Sequence, residues 1–240
     1  MNKKILYTLP FLFTAVLPPV NASVVMQGNR VVYDAQTSQK AIKFTNTDNF
    51  PYIVQTWVST TEDGKISNND SLPFAISPAI FRMQPKQDQV INLLYTDAQK
   101  KIDKEQIYYL HFTQVPSVLS TERDKNKLVL IVNSVVKIFL RPTDAAIPHD
   151  KMFDFIHYQV TKEASGCRLV ISNQSPYYLN SIQLSTTFGS AKKESVMQMM
   201  APESSFSAHT ACASTKEKRD INISYINDYG VVQKQSIQEK

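Results

Sequence analysis

The segment that most constrains the fold is Lys125–Pro142, which reads KNKLVLIVNSVVKIFLRP. Its residues are mostly aliphatic and β-branched, and no glycine or proline interrupts them before its end, so the pattern predicts one long strand rather than a helix. Alternate side chains of a strand point to opposite faces, and the two rows are Leu128, Leu130 and Val132 on one side and Val129 and Ile131 on the other. A sheet that buries one row leaves the second to be covered by another layer of this protein or by another protein.

Lys137 lies among the apolar residues of this strand. An ammonium group in apolar surroundings must find an anion or reach water. The simpler alternative is that its stem follows the apolar surface and its charged end reaches solvent near the strand end. Residue types alone leave both interpretations open.

Residues 1–22 have the pattern of a signal peptide. Two lysines precede a largely apolar run over Ile5–Leu17, and Val20–Ala22 is suited to cleavage. The pattern predicts a mature chain that starts at Ser23 and is exported. No later uncharged stretch reaches the roughly 20 residues that a membrane helix needs, so no membrane insertion is expected.

Charge and motifs exclude several classes of function. The chain has a formal charge of +5 from 26 basic and 21 acidic residues, and the predicted leader carries two of those lysines. The modest excess that remains, with no basic cluster, argues against a nucleic-acid partner. There is no G-x-S-x-G motif, no dinucleotide fingerprint and no metal-ligand spacing among the four histidines, so we expect no enzyme, metal or cofactor. His111, on a predicted strand, is interpreted as a hydrogen-bonded or solvent-facing residue.

From residue 23 to about residue 140, short apolar or alternating runs are separated by turn residues, a pattern typical of an all-β sandwich. The proline-punctuated segment Phe74–Pro85 is predicted to add to a sheet edge, because proline is poorly tolerated in central strands. Trp57, the only tryptophan, is predicted to point into the core.

Thr143–Asp150 has no strand pattern and is the candidate hinge, after which a second β pattern follows. Length alone permits one large sandwich or two domains. The change of character at the hinge favours two domains, which comprise residues 23–142 and 143–240. They follow the predicted signal peptide of residues 1–22.

The two cysteines, Cys167 and Cys212, both lie in the second half of the chain. In an exported protein the default prediction is one disulfide, and the alternative is a pair of free buried thiols.

Six segments, in order along the chain, resemble motifs of the PapD-like periplasmic pilus chaperones of the short-loop type. They are Gly28–Asp34, Phe74–Pro85, Ile107–Pro116, Val135–Pro142, Asn173–Tyr178 and Tyr225–Gly230. The sequence departs from the family pattern at Leu140, where an aromatic residue is usual, and at Gln174, where proline is usual. The resemblance covers essentially the whole mature chain.

The resemblance implies two immunoglobulin-like β-sandwiches at an angle, with a cleft between them. It also implies a chaperone that binds single pilus subunits in the periplasm, lends each a strand and delivers it to an outer-membrane usher. Leu128, Leu130 and Val132 would then fill the groove of the subunit, while Arg30 and Lys137 would hold its C-terminal carboxylate.

The resemblance further implies a charged link between the domains, formed by Glu105, Arg141 and Asp228. The alternative is that Arg141 only caps the strand end in water. Because Leu130 and Lys137 are an odd number of residues apart, a bulge or a strong twist is expected between them, at Asn133–Ser134.

Two other classes of protein are carried as alternatives. The first is a pilus subunit or other exported β-sandwich adhesin. The second is a secreted β-sandwich enzyme or carbohydrate binder, which would need a cluster of polar and aromatic residues that the sequence does not reveal.

Overall fold

The computed structural model describes residues 23–65, 72–97, 101–117, 128–164, 166–189, 191–210, 212 and 219–240, so the predicted signal peptide lies outside the described residues. The described part contains sixteen strands and a 3₁₀ helix over His149–Phe155. The strands are β1 Val24–Met26, β2 Arg30–Asp34, β3 Gln39–Asn46, β4 Tyr52–Ser59, β5 Phe74–Ser77, β6 Ile80–Met83, β7 Asp88–Tyr95, β8 Gln106–Pro116, β9 Val132–Arg141, β10 Ile156–Glu163, β11 Gly166–Asn173, β12 Ser181–Phe188, β13 Ala191–Val196, β14 Ser204–Thr210, β15 Arg219–Ile226 and β16 Val232–Glu239.

The first domain is a sandwich of two sheets, with strand orders β1-β3-β7-β5 and β2-β9-β8-β4-β6. Period-two alternation directs one row of each strand inward, as Ile42 and Phe44 of β3 and Ile138 of β9 illustrate. These residues belong to one apolar cluster that draws on both sheets. The all-β prediction for this half of the chain is confirmed.

The proline-rich segment lies at a sheet edge, as its composition predicts, and it forms two edge strands rather than one. β5 lies at the edge of the four-stranded sheet and β6 at the edge of the five-stranded sheet. The chain passes from one sheet to the other at Ser77–Pro78, whose peptide bond is cis. Proline has no backbone N–H to donate, so it is best placed where a strand has a neighbour on one side only.

The expectation that Trp57 points into the core is wrong. In β4 the buried row contains Val54, Thr56 and Val58, so the alternation places Trp57 on the outer face of the sheet. There its ring stacks on that of His111, with centroids 5.0 Å apart. The indole N–H donates to the carbonyl oxygen of Gly64 at 3.3 Å, which satisfies its polar atom.

The predicted hinge, Thr143–Asp150, contains no strand and joins the 3₁₀ helix, which the sequence pattern did not predict. Beyond it, seven strands form one sheet of order β13-β12-β15-β16-β10-β11-β14. β16 pairs with β15 in antiparallel fashion and with β10 in parallel fashion. Because Leu169 of β11 and Leu184 of β12 share a core cluster, the two ends of this order enclose a second core. The chain therefore has two β-sandwich domains.

Cys167, at the start of β11, and Cys212, just after β14, form a disulfide. Strands β11 and β14 are antiparallel neighbours, with Cys167 opposite Thr210, so the bond ties the edge strand to the sheet. The predicted disulfide is confirmed, and the alternative of two free thiols is excluded.

Candidate functional site

The apolar segment that precedes β9 is largely solvent-exposed. The exposed fractions of the three residues in its predicted row are 86% for Leu128, 68% for Leu130 and 44% for Val132. Val129 and Ile131, of the other row, are also exposed, so neither row is covered by this protein. The row starting at Leu128 is therefore not part of the first domain's core.

The expectation of one long strand in Lys125–Pro142 is wrong at its beginning, because β9 starts at Val132. The last residue pair between β8 and β9 joins Gln114 to Val132. The neighbouring strand on that side ends at Pro116, which has no N–H to offer. Residues 128–131 thus have no strand partner among the described residues.

One edge of β9 is open along its first half. On its other side β9 pairs in parallel with β2, but only from Lys137, which faces Arg30, to Arg141, which faces Asp34. Between Val132 and Val136, β9 is paired with β8 alone among the described residues. Unpaired backbone N–H and C=O groups of such an edge can accept another strand.

The bulge expected at Asn133–Ser134 is absent. The pairing of β8 with β9 keeps one register throughout, including Thr113 opposite Asn133. Val132 therefore shares a face with the buried residues Val136 and Ile138, and Lys137 points to the opposite face. The row that ends at Val132 therefore lies in line with the core-facing residues of β9 but beyond the end of the sandwich. Lys137 points to the opposite face of the strand.

An apolar groove of about 960 Å³ runs beside this segment. Its walls include residues from three parts of the first domain, namely Val24 and Met26 of β1, Phe50 and Tyr52 at the start of β4, and Leu128, Leu130 and Val132. Phe50 is 58% exposed, so the groove opens to solvent. A contiguous apolar surface of this kind marks an interaction site.

Arg30 and Lys137 lie at the point where β2 meets β9 and are direct neighbours across the two parallel strands. Both side chains are half-buried and line a cavity of about 260 Å³ together with Glu62, Tyr109 and residues of the second domain. Burial lowers the pKa of Arg30, and the field of the Asp228 carboxylate opposes this shift. A partly desolvated cation of this kind gains from an incoming anion.

Arg141, the last residue of β9, contacts both other members of the predicted charged link. Its Nε donates to Oε1 of Glu105 at 3.0 Å, and its Nη1 and Nη2 donate to the two carboxylate oxygens of Asp228 at 2.7 and 3.0 Å. Asp228 lies in the turn between β15 and β16, and the second carboxylate oxygen of Glu105 accepts from the backbone N–H of Tyr178 at 2.8 Å. The guanidinium therefore joins the two domains and does not simply end in water.

The charges of Glu105, Arg141 and Asp228 shift one another's pKa values. Burial raises the pKa of Glu105, and Arg141 opposes that shift. Burial also acts against the charged form of Arg141, but its bonds to Asp228 and the field of Glu105 prevail and raise its pKa. For Asp228 burial is likewise outweighed by Arg141, and its pKa is lowered. Arg141 and Asp228 thus each favour the charged form, whereas burial of Glu105 works against its charge.

His111 is buried and hydrogen-bonded, as one of the two sequence interpretations held. Its Nε2 lies 2.7 Å from Oγ of Ser59, whose hydroxyl donates to the carbonyl oxygen of Thr61 at 2.5 Å. Both side chains are nearly inaccessible, so the pair offers no nucleophile to a substrate.

Among the described residues, no cluster of three or more histidine, cysteine or acidic side chains has a geometry that could hold a metal ion. No helix within that part of the chain is long and apolar enough to span a membrane.

Comparison with known proteins identifies relatives for both domains. The family model for the N-terminal domain of PapD, a pili and flagellar-assembly chaperone, matches residues 23–146, and the model for the C-terminal domain of PapD matches residues 156–237. The chain is 27% identical to the chaperone protein FimC of Escherichia coli K12 over 93% of this chain and 87% of that protein. It is also 27% identical to the chaperone protein HifB of Haemophilus influenzae, over 89% of this chain and 86% of that protein.

A solved structure has the same fold. The CupB2 chaperone of Pseudomonas aeruginosa superposes with a TM-score of 0.66 and 21% identity, covering 89% of this chain and 99% of that one. The two family models together span nearly all of the described residues. The chain therefore belongs to the PapD family of pilus assembly chaperones.

Proposed function

We propose that this protein is a periplasmic chaperone that binds single pilus subunits by adding the segment before β9 to their open sheet. It does so without catalysis or a cofactor, and it delivers the subunit to an outer-membrane usher. Membership of the pilus assembly chaperone family supports this function. It also favours the chaperone over the alternatives of a subunit or adhesin and of a secreted enzyme or carbohydrate binder.

The single observation that carries the proposal is that an exposed apolar row lies beside an open strand edge. That open edge ends at the side chains of Arg30 and Lys137. Leu128, Leu130 and Val132 are exposed, and the edge of β9 is unpaired up to the point where Arg30 faces Lys137. A partner strand laid along this edge would gain backbone hydrogen bonds, and its own core would receive the apolar row.

The position of the cations sets the direction of the partner strand. β2 runs parallel to β9 and begins at Arg30, so the open position lies immediately before the start of β2. A strand that fills this position in the same direction as β9 ends where Arg30 and Lys137 meet. Its terminal carboxylate would lie beside both cations, whereas an antiparallel strand would place its positively charged amino end there. The arrangement therefore favours a parallel partner strand that ends in a free carboxylate.

Burial of the apolar row supplies much of the affinity. Each fully buried aliphatic side chain contributes on the order of 1.5 to 3 kcal/mol before the costs of association and ordering. Charge-assisted hydrogen bonds from Arg30 and Lys137 to the carboxylate fix the register of the pairing, because the chain end can occupy only one position. The apolar row thus provides affinity, and the two cations provide alignment.

The charged link of Glu105, Arg141 and Asp228 would hold the second domain at the angle that shapes the cleft. A buried ion pair is weak evidence for stability, because desolvation offsets much of the Coulomb attraction. Its bidentate geometry at Asp228 nevertheless restricts the orientation of the two domains. We therefore assign the link to interdomain geometry.

The experiment that tests the function is co-expression with the pilus subunits of the same organism, followed by purification from the periplasm. The expected result is a one-to-one complex of chaperone and subunit, with the subunit degraded or aggregated when the chaperone is absent. A subunit that accumulates in soluble form without the chaperone, and never co-purifies with it, would contradict the proposal.

A further inference from the structure

The side chain of Arg30 is held in place by two acceptors outside the predicted carboxylate site. Its Nη1 donates to the backbone carbonyl oxygen of Ile226 at 3.2 Å, and its Nε donates to Oδ1 of Asn29 at 3.1 Å. A guanidinium has five N–H donors, so these two bonds leave three for an incoming carboxylate. Arg30 is thus oriented before any ligand arrives.

Asn29 is exposed to solvent but is closely approached by the second domain. Gly230 lies in the turn between β15 and β16 with φ of +80°, and a Cβ atom there would lie 2.5 Å from Oδ1 of Asn29. The turn is closed by Oδ1 of Asn227, which accepts from the backbone N–H groups of Tyr229 and Val231. The backbone of this turn therefore lies directly against the amide of Asn29, and a larger residue at position 230 would displace that side chain and adopt a strained φ.

The same turn carries Asp228, which Arg141 holds by two hydrogen bonds. One turn therefore carries both Asp228 of the interdomain link and Gly230, which contacts the residue that holds Arg30. Asn29 connects this turn to Arg30, because it touches the turn on one side and the guanidinium on the other.

We propose that Asn29 is a positioning residue that orders Arg30 for the terminal carboxylate of the subunit, with the close approach of Gly230 fixing its own orientation. This inference rests on the proposed function and names a further residue in that site. An arginine that is not held in place loses rotamer freedom when it binds, and that ordering cost then falls on the binding step.

The test compares two forms of one synthetic peptide of alternating threonine and valine, with lysines at its amino end for solubility. One form has a free carboxyl terminus, and the other is the C-terminal amide. Calorimetry on the full chain gives the preference for the acid. We expect Asn29→Ala to reduce this preference about three- to tenfold, since the cost of ordering one long side chain is added to binding. The matched control is Asn222→Ala. The amide of Asn222 donates a hydrogen bond to Asp220 in the second domain, and its removal should leave the preference for the acid unchanged.

A second measurement needs no ligand. In nuclear magnetic resonance spectra of the free protein, the Nε–H of Arg30 should exchange slowly with water in the wild type and rapidly in Asn29→Ala. Small-angle scattering should be the same for both proteins, because Arg141 still binds Asp228. Rapid exchange in the wild type, or a changed scattering profile in the variant, would overturn a role confined to Arg30.

A double-mutant cycle separates positioning from general strain. Gly230→Ala should lower the acid preference in the wild-type background and have no further effect on it in Asn29→Ala, although its backbone strain lowers stability in both. If the wild type does not prefer the acid, the carboxylate anchor itself fails, and this inference fails with it. If the wild type prefers the acid and Asn29→Ala retains the full preference, only the inference about Asn29 is overturned.

Discussion

Replacing Leu130 by serine tests whether the apolar row faces a partner or the protein's own core. Leu130 is 68% exposed, so roughly two thirds of its side chain remains to be buried by a subunit. Taking about 1.5 to 3 kcal/mol for full burial of leucine, the complex should lose about 1 to 2 kcal/mol. That loss corresponds to a dissociation constant about 5- to 30-fold higher.

The stability of the free chaperone should change little, because an exposed leucine contributes little to folding. The assay is therefore a pair of measurements on one purified variant. Thermal unfolding gives Tm, and titration with a subunit, or with the peptide of its last strand, gives the dissociation constant. We expect an unchanged Tm and weakened binding.

Two variants provide matched controls. Leu140→Ser alters a fully buried leucine of the same strand face, and it should lower stability by about 2 to 5 kcal/mol. Val129→Ser alters an exposed residue of the opposite row, so it should spare Tm and weaken binding less than Leu130→Ser.

Two results would refute the reasoning. If Leu130→Ser lowered Tm as Leu140→Ser does, the row would belong to the first domain's own core. If Leu130→Ser left the affinity unchanged, or if Val129→Ser cost as much, the assignment of the row to the subunit groove would be wrong. In either case the proposed mechanism of strand donation would lose its main physical support.

Other changes test the rest of the site. Lys137→Glu should abolish subunit capture with Tm nearly unchanged, because it repels the terminal carboxylate; capture at wild-type levels would count against the anchor. Arg141→Ala should broaden the interdomain distances seen by small-angle scattering, and an unaltered profile would contradict the linking role. Because the pKa of Asp228 is lowered in the folded protein, its pairing should be complete above the ordinary carboxyl range near pH 4 and be lost only as pH falls through the lower pKa of the folded state. Acid should therefore broaden the interdomain distances of the wild type, whereas those of Asp228→Asn should already be broad at neutral pH. Reducing the Cys167–Cys212 bond, which closes a 45-residue separation, should cost about 3 to 4 kcal/mol of unfolding free energy by denaturant titration, and an unchanged midpoint would refute this.

Local sequence patterns were sufficient for the class of fold and for much of its organisation. Alternation with a period of two identified strands such as β3 and β4, and the prolines of Phe74–Pro85 identified an edge position for that segment. Two cysteines in an exported chain indicated the disulfide. These features follow from properties of single residues and near neighbours, namely burial, backbone donors and redox chemistry, so a sequence can reveal them directly.

Two errors arose where a local pattern was applied without knowledge of its neighbours. Trp57 was predicted to point into the core as an aromatic residue of β4, but the register of β4 places it on the outer face against His111. A bulge or a strong twist was expected because Leu130 and Lys137 were assumed to share a face, and the structure has no bulge there. The regular register of β8 with β9 shows that the apolar row and the lysine serve opposite faces.

The sequence by itself determined which residues could form strands and which two cysteines could pair. Only the tertiary structure decided that β9 loses its partners before Val132, that Arg30 lies opposite Lys137, and that Arg141 reaches both Glu105 and Asp228. The physical reason is that these contacts join residues distant in sequence. They depend on which strands become neighbours and in what register, and that is set by the packing of the whole sandwich rather than by any one segment.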